Sequence, residues 1–186
     1  VRGCPLLLDF STASIQAGLA DPSPLLFLLT NSRALEPEQV RQQLKALCQR
    51  LRPLLEELQR PWLVVSRGDS TLRGHTPLEL EVIRSELGPF AANLLVPAFP
   101  QGGRTTAAGV HLLHGEPLHH SAFARDLRFG YPSSDLPQWL EHKTAGAIPA
   151  TSVTRLKPAD SFVQLEIGQW AVVDASSPND LHVIAE

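Results

Sequence analysis

Two short stretches gather the residue types that hold a small polyhydroxylated anion. The first runs Arg67-Gly68-Asp69-Ser70-Thr71-Leu72-Arg73-Gly74-His75 and ends at Thr76. The guanidinium groups of Arg67 and Arg73 can fork onto a carboxylate or phosphate. Asp69 can accept from sugar hydroxyls, and Ser70 and Thr71 can both donate and accept. Gly68 and Gly74 let a backbone approach a ligand closely. The same residues also admit a purely structural use, in which Asp69 pairs with Arg73 while Ser70 and Thr71 cap a turn. The second stretch is Pro97-Ala98-Phe99-Pro100-Gln101-Gly102-Gly103-Arg104-Thr105-Thr106. Gly102 and Gly103 could offer consecutive amides to an anion, with Arg104 supplying charge. Alternatively, they form a glycine turn leading into a hairpin.

Other chemistry-bearing patterns lead nowhere. Ser70 is followed by Thr71-Leu72-Arg73, so the Gly-x-Ser-x-Gly elbow of a hydrolase is missing. Neither a Walker loop nor a Gly-x-Gly-x-x-Gly fingerprint occurs, so nothing here recognisably binds ATP or NAD. The Arg67-Gly68-Asp69 tripeptide matches an adhesion motif that has no role inside a cell. His111, His114, His119 and His120 suggest a metal set on paper. On a strand, however, residues three apart face opposite sides, so His111 and His114 should diverge. His75 closes the polar loop, as a surface histidine or as a ligand contact.

The elements that must carry these loops are legible from periodicity. Short apolar runs at Pro5–Leu8, Leu25–Leu29, Trp62–Val65, Asn93–Val96 and Trp170–Val173 alternate with helical patterns. This predicts an α/β fold, a mostly parallel sheet sandwiched by helices. A helix opens after Glu36 with Pro37 in its first turn. Val40, Leu44, Leu47, Cys48, Leu51, Leu54, Leu55 and Leu58 give it one apolar stripe, and Pro53 should kink or break it. A second helix is predicted from Thr76-Pro77-Leu78-Glu79, with Thr76 as cap. Its N-terminus would add a field favourable to anions. Others follow at Ser134–His142 and Asp180–Glu186, with a β-hairpin excursion around Gly115. If the strands at Trp62–Val65 and Asn93–Val96 are parallel, both polar loops open at one carboxyl edge, where α/β sheets bind ligands.

Composition sets the bounds. At 186 residues the chain suits a single domain over 1–186. A net charge of -3 argues against a nucleic-acid surface. The two cysteines, Cys4 and Cys48, lie in apolar patterns and read as buried free thiols in a reducing, cytoplasmic setting. No signal pattern or membrane-length apolar run occurs. The sequence contains no methionine, and a segment of a longer protein is the simplest expectation.

Ser66 to His75, then Pro97 to Thr105, then Phe123-Ala124-Arg125-Asp126 with Phe129-Gly130-Tyr131, come in an order that resembles the four-carbon acid-sugar kinases, long catalogued as a domain of unknown function. Asn31-Ser32-Arg33 before the Pro-Glu helix start fits as well, so the likeness spans nearly the whole chain. The resemblance implies a two-domain enzyme in which an N-terminal α/β domain like this one holds a sugar acid. A C-terminal nucleotide-binding domain would bind ATP, with Mg²⁺, and phosphoryl transfer would occur in the cleft between. It further implies that Arg67, Asp69, Ser70 and Arg73 hold the substrate and that Gly103 and Arg104 form a second wall. Members carry an acidic Asp-Asp-x-Thr-Gly motif near the N-terminus, a natural place for the base. This sequence has none, and Val1 falls about where that motif would end. No catalytic residue is therefore assigned, and the isolated chain is expected to bind a sugar acid weakly and to lack kinase activity. Two other readings compete: a non-catalytic sugar-acid or anion-binding regulatory domain, and an isomerase or hydrolase that would need Asp69 and His75 in one pocket.

Overall fold

A computed structural model describes residues 3–160, 162 and 165–185. The chain forms two compact units, Val1–Ser66 with Leu78–Gly88, and Arg67–Pro77 with Pro89–Glu186.

The first unit is a βαβ arrangement extended by two helices. Strand β1 (Leu6–Leu7) pairs in parallel with β2 (Phe27–Leu28), and helix α1 (Thr12–Ala20) makes the crossover. Ser11 caps α1, its hydroxyl accepting from the Ser14 amide. Gly18 packs closely there: a Cβ would stand 2.8 Å from Leu26 Cδ1, so that leucine would have to shift. Helix α2 (Pro37–Glu56) buries Val40, Leu44, Leu47, Cys48, Leu51, Leu54 and Leu55, the stripe its periodicity announced. It packs against α3 (Leu78–Leu87). Pro53 does not break α2, which continues to Glu56. Proline removes one amide bond, and here the loss falls in the final turn, where the helix is ending anyway. Burial, with Glu86 adding to it, pushes the Cys48 thiol up to about 11, so it behaves as an apolar core group.

Two expectations fail in this unit. Trp62–Val65 forms no strand, and Leu63 and Val65 are 82% and 72% exposed. A β-prone run becomes a strand only when a neighbouring strand pairs with it, and this run belongs to none of the described sheets. Helix α3 starts at Leu78, two residues after the expected cap Thr76, and the Thr76–Pro77 bond is cis. Ser66 instead reaches α3, donating to Glu79 Oε2 at 3.0 Å.

The second unit is built on a three-stranded parallel sheet in the order β3 (Ala92–Leu95), β8 (Gln169–Val173), β7 (Thr154–Leu156). Ala171, Val172 and Val173 on the central strand are fully buried, as a strand covered on both faces requires. The predicted hairpin excursion is present as a small antiparallel sheet of β4 (Arg104–Ala107), β5 (Val110–Leu113) and β6 (Glu116–Pro117). Thr106 and Ala175 exchange amide bonds at 2.8 and 3.0 Å, tying β4 to the chain leaving β8. The Asp174 carboxylate accepts from the Ala108 and Gly109 amides at 2.7 and 2.8 Å and so fixes the β4–β5 turn. Helix α4 (Leu136–Lys143), capped by Asp135, brings Leu136, Trp139 and Leu140 into a core shared with Leu72, Leu118, Tyr131 and Val172. Helix α5 (Pro178–Ala185) closes the described chain, and Glu186 lies outside the described residues.

Candidate functional site

Both polar loops belong to the second unit. In the first, Leu72 is the anchor. Its side chain is 2% exposed in the core while its backbone adopts φ +64°. A left-handed leucine costs about 1–2 kcal/mol, and burying the side chain returns about 1.5–3 kcal/mol, enough to hold the turn. The Leu72 amide donates to the Asp69 carbonyl at 2.9 Å.

Around that turn the charged groups satisfy one another. Asp69 Oδ1 accepts from the Thr71 amide and hydroxyl at 2.8 and 2.7 Å. Asp69 Oδ2 accepts from Arg73 Nε and a terminal nitrogen at 3.1 and 2.9 Å. Arg73 also reaches Asp126 Oδ2 at 3.5 Å and lies 5.1 Å over the Phe123 ring. Burial pushes the Asp69 carboxyl up, but the Thr71 hydrogen bonds and the Arg73 charge outweigh it, leaving a net depression. The structural use of Asp69, Thr71 and Arg73 is therefore realised.

The motif Phe123 to Tyr131 is the shelf under this loop. The Asp126 carboxyl is held below the usual range by the Phe129 and Arg128 amides and by Arg73. Its partner is thus Arg73, whereas Arg125 is exposed. Tyr131 donates its buried hydroxyl to the Thr71 carbonyl at 2.8 Å. Lys143 donates to the Gly74 carbonyl at 3.0 Å, and burial lowers its pKa. His75 is not a surface histidine; it is 8% exposed and packs edge-on to Phe129 at 5.0 Å.

The second loop is organised differently. The Gly102 and Gly103 amides donate to the Phe99 and Pro100 carbonyls at 3.0 and 2.9 Å, so the turn itself consumes both. The glycines are required for space. A Cβ on Gly102 would lie 2.5 Å from the Arg104 guanidinium, and one on Gly103 (φ +71°) 2.2 Å from the His114 ring. Arg104 lies 5.0 Å over Phe99. Its Nε is buried without a hydrogen-bond partner, a state shared among the described residues only by Trp139 Nε1. A buried unpaired N–H costs about 1–3 kcal/mol, more when charged, unless something accepts from it.

The loops are joined by a residue outside both. His111 is fully buried; its Nε2 lies 2.8 Å from the Ser70 carbonyl and its Nδ1 2.9 Å from Thr106 Oγ1. The loops therefore meet through a side chain rather than by sharing a sheet edge, since Trp62–Val65 is no strand. His111 and His114 do diverge, the first buried and the second exposed. Register could have found His111: a two-residue turn at Ala108-Gly109 sets Thr106 opposite it. Arg67 and Gly68 lie exposed at the loop entrance, and the Ser70 side chain is half-buried.

A family profile described as a sugar-binding N-terminal domain matches residues 2–186. The chain is 32% identical over 168 residues to a D-erythronate kinase from Heliobacterium modesticaldum, covering 87% of this chain and 37% of that protein. It is 30% identical over 185 residues to a D-threonate kinase from Bordetella bronchiseptica, covering 95% and 42%. Among solved structures, a domain of unknown function from Bordetella bronchiseptica, crystallised with citrate as a domain-swapped dimer, has a TM-score of 0.68 at 24% identity. That match covers 97% of this chain and 44% of the other, and it bears on the fold alone. The chain spans under half the length of these relatives, and the resemblance carried by its loop motifs is borne out.

Proposed function

We propose that this chain, which belongs to the family of sugar-binding N-terminal domains, holds the substrate of an ATP-dependent kinase that phosphorylates a hydroxyl of a four-carbon sugar acid such as erythronate or threonate. Arg104 is the observation that carries this reading. Its Nε–H is buried and unpaired, while Asp69 is engaged by Thr71 and Arg73, and Asp126 lies against Arg73. The second loop thus carries a positive group whose Nε–H lacks an acceptor, and a carboxylate can supply one. Arg67 adds charge at the entrance and the Ser70 hydroxyl suits a sugar hydroxyl. Asp69, Thr71 and Arg73 serve as the frame that fixes Ser70.

Phosphoryl transfer rests mostly on positioning and charge stabilisation. These residues supply the positioning of the acid end. Among the described residues no group of three His, Cys, Asp or Glu could hold a metal ion, and the sequence has no phosphate-cradling motif, so no step is derived through Mg²⁺ or ATP. Within the proposal a C-terminal nucleotide-binding domain of the same protein holds both. No helix of the described residues is long and apolar enough to cross a membrane, and the proposal sets the enzyme in the cytoplasm.

The test is an ATP-dependent phosphorylation assay of the full-length protein on erythronate, threonate and their three- and five-carbon analogues. Product with the four-carbon acids supports the reading. Tight acid binding without product would favour the regulatory domain instead.

A further inference from the structure

We infer that His111 is a positioning residue, a latch that sets the Asp69–Arg73 loop over the strand face bearing Arg104. The inference rests on the proposed acid site for its functional consequence, although not for its geometry.

The hydrogen bonding fixes the proton. A carbonyl oxygen only accepts, so Nε2 must carry the hydrogen it gives to Ser70 O. In a neutral imidazole Nδ1 is then an acceptor, which the Thr106 hydroxyl satisfies. Neutrality follows from the surroundings: the ring is fully buried and the Arg104 charge lies close enough to oppose protonation. Both ring nitrogens are thus used, in one tautomer and one orientation.

The strand register explains what this orientation achieves. Arg104 and Thr106 lie on the same face of β4, two residues apart, and His111 pairs directly across from Thr106. A bond from His111 to Ser70 therefore anchors the first loop on the face that carries Arg104. Other bonds of the loop run within it, from Thr71 and Arg73 to Asp69, or to Tyr131 and Lys143. His111 is a hydrogen-bonded contact that relates the two candidate walls, so losing it should loosen the placement of the acid-binding groups while leaving each wall intact.

Two substitutions separate this role from simple packing. His111→Asn can still meet Thr106 but is too short for Ser70, whereas His111→Gln can extend an amide N–H to the Ser70 carbonyl. In the full-length protein, H111N should raise KM for the four-carbon acid about five- to tenfold, with a smaller change in kcat. It should also speed amide exchange across Arg67–Gly74, and H111Q should recover most of both. Unchanged exchange in H111N, unchanged KM in an active enzyme, or no recovery in H111Q would overturn the latch. If the wild type neither binds nor phosphorylates the acids, the kinase reading fails, and amide exchange alone decides the latch. Should H111N not fold, imidazole ¹⁵N spectra of the wild type decide it. A slowly exchanging Nε2–H in the neutral ring is expected, and an Nδ1–H tautomer or a rapidly exchanging proton would refute it.

Discussion

In the first loop Asp69, Thr71 and Arg73 complete one another's hydrogen bonds, whereas Arg104 in the second loop keeps a buried Nε–H with no acceptor. By residue type the first loop looks the richer ligand site, with two arginines, an aspartate and two hydroxyls. Most of that chemistry is spent inside the protein. The second loop looks poorer, yet its single arginine is presented unpaired over Phe99 by glycines that leave it room. On the proposed reading, density of polar residues marks where the site is framed, and availability marks where the acid would be gripped.

Breaking the frame should cost stability. Asp69→Asn removes the charge from a carboxylate that accepts four hydrogen bonds. Arg73 keeps its bond to Thr71 Oγ1, the longer contact to Asp126 and the Phe123 ring, and the Asp69–Arg73 pair is partly solvated, so a loss of about 2–3 kcal/mol is expected. At this size that lowers the melting temperature by about 4–12 °C, which calorimetry would register.

The shelf can be broken on its own. A Cβ on Gly130 would stand 2.7 Å from the Asp126 carbonyl and 2.9 Å from that of Ala124, both backbone atoms that cannot rotate away. Gly130→Ala should destabilise by about 1–3 kcal/mol, read from the urea midpoint.

The smallest effect concerns pH. Burial depresses His111, so the unfolded chain binds a proton that the folded one refuses. Stability from this source is complete above the unfolded value of about 6.5 and falls as pH drops below it. Asp69 is also depressed, so its contribution is complete above about 3.9 and fades on further acidification. Denaturation midpoints measured against pH should lose the upper decline in H111Q and the lower one in D69N.

Much of the scaffold could be read from the residues. Helix α2 combined Pro37 at its start with a continuous leucine stripe, and β8 offered an uninterrupted apolar run. Helix α1 escaped because Thr12–Ala20 buries only Ile15 and Gly18 and so shows no stripe. Strand β7 escaped because Thr-Arg-Leu at 154–156 is short and half polar. Trp62–Val65 had strand composition but joins none of the described sheets, and composition cannot supply strand pairing. The site divided similarly. Position and residue type picked out both loops, yet the pairing of Arg73 with Asp126 spans 53 residues and leaves no local mark. The Gly102 and Gly103 amides looked available because nothing in the sequence reveals the carbonyls that take them.

The most direct test of the central claim is calorimetric titration of the full-length protein and Arg104→Met with erythronate and threonate. The account predicts that R104M keeps the wild-type melting temperature within about 1–2 °C, because the buried Nε–H has no hydrogen bond to lose and methionine can keep the contact with Phe99. It also predicts that acid affinity drops about 10- to 100-fold, the worth of a charge-assisted hydrogen bond. Unchanged affinity in R104M, with loss confined to D69N, would contradict it by placing the grip in the first loop.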